Sequence, residues 1–365
     1  MLPAAAAAAA LPLEDDNLLS EILLRLPPVP SSLPRASAVS KSWRSLISDT
    51  AFSRRFRLHH CRNPPLLGCF QQGDDGPSFE PTLEAPDRVP PGRFSLQSDL
   101  DDFRVLGCRH GLVLILDLTR FQLLVWDPVT GHQHRVSSIP TGFDRFKSVI
   151  RGAVLRAAPG DVHFQIVLVV ADDDEVRAQA CIYSSKTGVW GNLILTPIPS
   201  GNEAPTRISP DLAVLVGHSL YWMLYGTKSN ILQFDLERES LAVIPVPVNF
   251  FNFKGFTLMR AEDGQLGLFT LSGFTAQLWK RNTICNGVPS WGVVRTVELD
   301  KLLSLDSEEY LNTHGFAEDN SLVFLRVGTS IVFTFQIESL QFNKVSDTSK
   351  WYRYYPFESV YAAGI

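Results

Sequence analysis

Short apolar runs centred near Val113, Val167, Leu215, Leu268 and Val323 recur at intervals of roughly 50 residues through most of this chain. Each is rich in β-branched and aromatic residues and is set off by Gly, Pro, Asp or Asn, the pattern of strands divided by tight turns. A unit of that length cannot bury its own apolar face, so it must stack on copies of itself. In a ring of sheets every edge is covered by a neighbour. The spacing therefore predicts an all-β, propeller-like region of about five or six blades, closed by the last strands around Tyr354, Tyr355, Phe357 and Tyr361.

Within this region strands are expected over 112–118, 123–126, 164–170, 180–183, 212–216, 220–224, 231–234, 266–271, 276–279, 292–297, 322–327 and 331–337. Three phrases repeat a strand followed by a polar turn: Val125 to Gly131, Ile182 to Trp190 and Leu232 to Ser240. Thr130-Gly131 and Thr187-Gly188 supply permissive turn residues, and an aromatic precedes each turn.

Residues 11–56 have a different texture. Leu18, Leu19, Ile22, Leu23 and Leu26 recur at helical spacing behind Glu14, Asp15 and Asp16, and Pro27-Pro28 stops the helix. Ser31 or Ser32 can cap a second pattern in which Ala36, Val39, Trp43, Leu46 and Ile47 share a face, with Asp49 and Thr50 ending it before Phe52. So small a helical unit is near or below the size that sustains its own core, so its apolar face needs the rest of the chain or a partner.

The order Leu11-Pro12, Glu21-Ile22-Leu23, Arg25-Leu26-Pro27 and Val39-Ser40-Lys41-Ser42-Trp43-Arg44-Ser45-Leu46-Ile47 resembles the F-box, the segment by which substrate receptors of cullin-RING ubiquitin ligases hold the Skp-type adaptor. It departs from the usual pattern at Pro34, inside the short middle helix, and in the Pro28-Val29-Pro30 lead. Proline in a first helical turn shortens a helix rather than breaking it. The strand-rich region is similar to the F-box-associated, kelch-like propeller of a large plant family, through Gly107 to Leu112, Trp126-Asp127-Pro128, His218 to Trp222, Phe234-Asp235-Leu236, Leu266-Gly267-Leu268 and Tyr355-Pro356-Phe357.

Low-complexity composition marks residues 1–10 as a disordered Ala-rich lead. The resemblance implies a multidomain chain beyond it: a small all-α F-box over 11–57 and the propeller-like substrate-recognition domain over 58–365. It further implies a substrate-recognition subunit of a Skp-cullin-F-box ligase that performs no covalent chemistry. Leu11, Pro12, Ile22, Leu23, Leu26, Pro27, Leu33, Val39, Trp43 and Leu46 would then be adaptor-binding or F-box-core positions, and the propeller would hold an unidentified target protein. Cullin and RING subunits would be reached through the adaptor. The rival reading is a ligase-independent propeller interaction protein whose helices only cap the ring. A propeller enzyme, with catalytic groups gathered at the axis, is a third.

Other features are read as structural. A net charge of −5 and a pI near 5.9 argue against nucleic acid as the main partner, and the cluster Arg54, Arg55, Arg57, His59, His60 and Arg62 is read as a solvated helix end. Five scattered cysteines without metal-ligand spacing, no apolar run long enough to span a bilayer, and no glycosylation sequon place the chain in the cytosol or nucleus, away from membranes. Asp172 to Glu175, Asp74-Asp75 and Asp99, Asp101, Asp102 are expected in turns and edge loops rather than as cation or acid-base sites. Gly217-His218-Ser219 lacks the second glycine of a nucleophile elbow. His59, His60, Cys61 and Cys69 do not form a zinc knuckle, and His110, His132 and His134 belong to turns. Trp126, Trp190, Trp222, Trp279 and Trp291 are expected in the core. No cofactor, metal or catalytic residue is expected.

Overall fold

The computed structural model describes residues 15–362 apart from 74–75, 91, 98–99, 137, 145–148, 159–160, 173–175, 200–205, 227–228, 247–254, 284–288, 304–309 and 348–352. Leu11, Pro12, the Ala-rich lead, Asp74, Asp75, Asp99, Asp173, Asp174, Glu175 and Cys285 lie outside the described residues.

The N-terminal module has four helices: α1 (Asp16–Leu23), α2 (Ser32–Ser37), α3 (Lys41–Ser48) and α4 (Thr50–His60). Helix α1 starts where the Asp15 side chain accepts from the amides of Asn17 at 2.8 Å and Leu18 at 3.2 Å. It ends at Leu23, short of the expected Leu26: Leu24 keeps helical dihedrals, but the Arg25 and Leu26 amides donate to the Ile22 and Leu23 carbonyls at 3.1 and 3.2 Å, a tightened last turn ahead of Pro27. The single second helix expected from Ser31 onward is two. Ser40 is extended and its Oγ accepts from the Trp43 amide at 3.2 Å, breaking one helix and capping the next. Nor do Asp49 and Thr50 terminate the module's helices. Asp49 is again extended, and its side chain accepts from the Ala51 amide at 3.2 Å, opening α4. Ser31 is the N-cap residue of α2 without a side-chain capping bond, and its amide donates instead to Asp87 at 3.1 Å. The residue 57/58 boundary falls inside α4.

Six sheets follow. The chain lays down β1 (Leu66–Gly73) and β2 (Gly76–Pro81), then β3 (Phe103–Arg109), β4 (Leu112–Asp117), β5 (Gln122–Trp126) and β6 (Gln133–Val136) as a four-stranded meander. The next blade is β7 (Arg151–Arg156), β8 (Phe164–Asp172), β9 (Arg177–Ser184) and β10 (Val189–Trp190), with β11 (Ile194–Pro197) also on β9. Then come β12 (Arg207–Ile208) and β13 (Val214–Val216), both on β14 (Ser219–Tyr225), followed by β15 (Asn230–Asp235) and β16 (Ser240–Pro245). Two four-stranded blades complete the series: β17 (Gly255–Arg260), β18 (Leu266–Ser272), β19 (Thr275–Thr283), β20 (Pro289–Glu298), and, after the short α5 (Leu299–Leu303), β21 (Leu311–Ala317), β22 (Leu322–Val327), β23 (Ile331–Gln336) and β24 (Phe342–Asp347). The final strand, β25 (Tyr354–Glu358), returns to β1 and pairs Tyr355 with Phe70 and Pro356 with Cys69. The sixth blade is thus assembled from both ends of the described chain, and the ring closes. The strand expected over 212–216 is shorter, beginning at Val214.

Strands β3, β7, β13, β17, β21 and β25 lie nearest the axis; β13, β17, β21, β25, β3 and β7 pack in that series, and Arg151 of β7 reaches the Ser209 carbonyl at 2.9 Å. Space there is scarce: a Cβ on Gly255 would sit 3.2 Å from the Thr313 amide nitrogen, and one on Gly315 would sit 3.0 Å from the Tyr354 carbonyl. In the repeated hairpin phrases Gly131 takes φ 78°, and Glu239 takes the same left-handed turn at φ 46° without the glycine. Trp126 and Trp222 are buried between blades, while Trp190, and Trp279 with Trp291, are partly buried against two other core clusters.

The helical module is joined to the ring by shared core. Val360 and Ala362, just beyond β25, pack with Leu19, Leu23, Phe52 and Phe56. The Tyr361 amide donates to the Pro28 carbonyl at 3.3 Å, Ser359 to Pro65 at 3.1 Å, and the Asn320 side chain to Pro64 at 3.0 Å.

Candidate functional site

Two regions carry unsatisfied chemistry. The first is the outer surface of the helical module. Helix α1 is amphipathic, burying Leu19 and Leu23 while Leu18 remains 50% exposed and Ile22 43% exposed. Val39, in the turn between α2 and α3, is 63% exposed. Of the ten residues singled out in the sequence, Leu23 and Leu33 are buried in the module's own core, and Leu26, Trp43 and Leu46 are half-buried against it. Ile22, Pro27 and Val39 face solvent, and Leu11 and Pro12 lie outside the described residues. The module is thus not apolar all round: one face is spent on its own core and the ring's tail, and a smaller set stays open. Arg55 braces α4 on α1 through Glu21 at 2.6 Å and the Ser20 hydroxyl at 3.0 Å.

The second region is the axis mouth at the C-terminal ends of the innermost strands. Arg109 and Arg260 end β3 and β17. Arg109 pairs with Glu318 and donates to the Ala213 carbonyl at 2.7 Å, and Arg260 donates to the Glu318 carbonyl at 2.8 Å and meets Asp319 at 3.5 Å. Glu358 ends β25 and accepts from the Asn320 side chain at 2.7 Å, the Asn320 amide at 2.8 Å and the Asp319 amide at 3.1 Å. Burial, then the adjoining Asp319 carboxylate, push Glu358 up to about 7 against the pull of those donors. His110 turns the β3–β4 hairpin at φ 52°, and its Nδ1 meets the Arg156 amide at 3.2 Å. Burial, then Arg109, Arg156 and Arg260, hold it down at about 4, so the ring is neutral at ordinary pH.

Beside this mouth, under α4, lies a cavity of about 640 Å³. Val129, Leu155, Leu215 and Val360 form apolar wall, Arg156 pairs with Asp127 at 3.1 Å, and Arg57 and Cys61 contribute from the helical module. The Arg57 Nε is enclosed and meets no hydrogen-bond partner. The sequence alone makes Arg57 part of a solvated helix end; the fold brings it near Asp127 and Arg156.

At the opposite mouth Asp211 accepts from Arg353 at 2.7 Å and from the Ser209 hydroxyl at 2.6 Å, and Arg151 donates to the Ser209 carbonyl at 2.9 Å. These groups satisfy one another. The remaining candidates stay apart: Ser219 opens β14 and bonds Gln233 at 3.0 Å, and His134 meets the Tyr183 hydroxyl at 3.3 Å. His60 meets the Leu24 carbonyl at 2.9 Å. Among the described residues no three His, Cys, Asp or Glu side chains gather as a metal site, and no helix is long and apolar enough to cross a membrane.

Residues 104–363 match the family model described as "F-box protein AT5G49610-like, beta-propeller", and residues 10–55 match the F-box domain. Among curated proteins of Arabidopsis thaliana, F-box/kelch-repeat protein At3g23880 is 25% identical over 264 residues, 65% of this chain and 66% of the relative. Putative F-box protein At3g17490 is 24% identical over 327 residues, 78% of this chain and 74% of the relative. The chain thus spans just under two thirds of the first relative's length and about three quarters of the second's. Among solved structures, a protein from Lactobacillus plantarum overlaps at a TM-score of 0.44 with 12% identity, over 78% of this chain and 81% of that one, which carries no functional argument.

Proposed function

This chain belongs to the plant F-box proteins with a C-terminal β-propeller, and from that membership we propose that it is the substrate-recognition subunit of a Skp-cullin-F-box ubiquitin ligase. The helical module docks the Skp-type adaptor, and through it the cullin and RING subunits. The propeller holds a target protein, so that ubiquitin transfer is driven by proximity rather than by chemistry in this chain. Its place of work is the cytosol or nucleus.

The observation that carries this reading is the open apolar set on a folded module: Leu18 and Ile22 one helical turn apart on α1, with Val39 beyond α2. Side chains of this kind, left exposed after the core is complete, are what a partner interface uses. Leu23, Leu33, Leu26, Trp43 and Leu46 act by holding that surface in shape.

A pull-down and titration with purified Skp adaptor tests it, comparing the full chain with the double variant Leu18→Asp, Ile22→Asp. Both substitutions are on exposed positions, so circular dichroism stays unchanged while affinity falls at least about 100-fold. The sharing of Val360 and Ala362 with the helices favours a second reading, in which the module only caps the ring. No adaptor binding by the well-folded full chain selects that one.

A further inference from the structure

We infer that the cavity between α4 and the axis mouth is a binding site for a small organic anion, a molecule with an apolar body and one carboxylate or equivalent acidic head. The volume of about 640 Å³ lies within the range that enclosed small-molecule sites occupy. Its wall divides in the way such sites do. Val129, Leu155, Leu215 and Val360 offer apolar surface, and one cationic group is left over.

That leftover group follows from accounting for each charge in turn. Asp127 is neutralised by Arg156 at 3.1 Å, and its other oxygen accepts the amides of Val129 at 3.1 Å and Thr130 at 3.2 Å. Glu237 sits at the open edge with His218 at 3.4 Å. Asp319 is met by Arg260, and Glu358 is saturated by Asn320 and the Asp319 amide. Asp161 is solvated and accepts from the His163 amide at 3.1 Å. Of the cavity's described lining residues, Arg57 alone has an enclosed Nε without an acceptor; burial most disfavours its charge, the Asp127 carboxylate supports it, and the neighbouring Arg156 opposes it. A buried donor left unmade costs about 1–3 kcal/mol, more for a charged group. A carboxylate supplies the acceptor and the countercharge together, in the planar geometry a guanidinium prefers. An occupant would touch α4 on one side and several blades on the other, and so would tie the adaptor arm to the target-holding ring.

The full chain is titrated calorimetrically with 2-naphthoate and with its uncharged counterpart 2-naphthamide. The acid is expected to bind at least tenfold tighter than the amide. Arg57→Gln brings the two together, and Arg57→Lys keeps a preference for the acid. Ala157→Trp, which fills the cavity from the propeller side, weakens both at least tenfold. Should Arg57→Gln fail to fold, the acid-to-amide ratio in the unaltered chain and its loss in Ala157→Trp decide the matter. Equal affinities, no heat from either probe up to about 1 mM, or a preference that survives Arg57→Gln overturns the proposal. None of these outcomes depends on whether the adaptor binds.

Discussion

At Glu358 two demands meet in one side chain: three donors favour the carboxylate, while burial and Asp319 favour the acid, and the balance falls at about 7. A free glutamate titrates near 4.5. Between those values the folded chain holds a proton that the unfolded chain has released. The contribution of this group to stability is therefore complete below about 4.5 and is lost as the pH rises through about 7. His110, held at about 4, has the opposite sense: its contribution is present above its ordinary 6.5 and is lost as the pH falls through about 4. Denaturant midpoints measured from pH 6.5 to 8 should fall in the native protein and flatten in Glu358→Gln; an unchanged slope would place the ionisation elsewhere. A second residue-scale pair separates core from surface. Phe56→Ala, at a fully buried position, should cost about 3–5 kcal/mol in chemical denaturation. Val39→Asp, at an exposed one, should cost less than about 0.5 kcal/mol yet weaken adaptor binding.

Among the elements, Asp49 sets where α4 begins, since its side chain satisfies an amide that would otherwise be orphaned. Asp49→Ala should remove about 1 kcal/mol of stability, read as a lower urea midpoint; no change would mean that α4 is held by Phe52 and Phe56 alone. Asp49 also shows why the helical module was only half legible in the sequence. An aspartate ends one helix and caps the next with the same preference, and no spacing rule tells which. The strands divide similarly. β4, β14, β18 and β22 are buried on both faces and read as continuous apolar runs. The innermost strands β3, β7, β17 and β21 carry no strand signature, because closeness at the axis demands glycine and the mouths demand arginine, threonine or histidine, as in Arg151-Gly152 and Thr313-His314-Gly315. The pocket was illegible for another reason. Arg57, Arg156 and Glu358 come from three distant segments, and each looks ordinary in its own neighbourhood.

For the whole molecule, helices and ring should behave as one cooperative unit, because β25 closes the sixth blade and the residues after it complete the helical core. Phe357, fully buried between Phe70 and Phe94, sits at that junction. Phe357→Ala should therefore lower the transitions of helix and strand signals together, by about 3–5 kcal/mol. Separate transitions would show two independent bodies. The same arrangement bears on how the chain is made. A polypeptide emerges from the ribosome with its helical segment first, yet that segment lacks Val360 and Ala362 until the last strand has been translated. A product released early by a premature stop codon would present neither a finished ring nor a finished handle. Such fragments should bind the Skp-type adaptor more weakly than the full chain in the same titration.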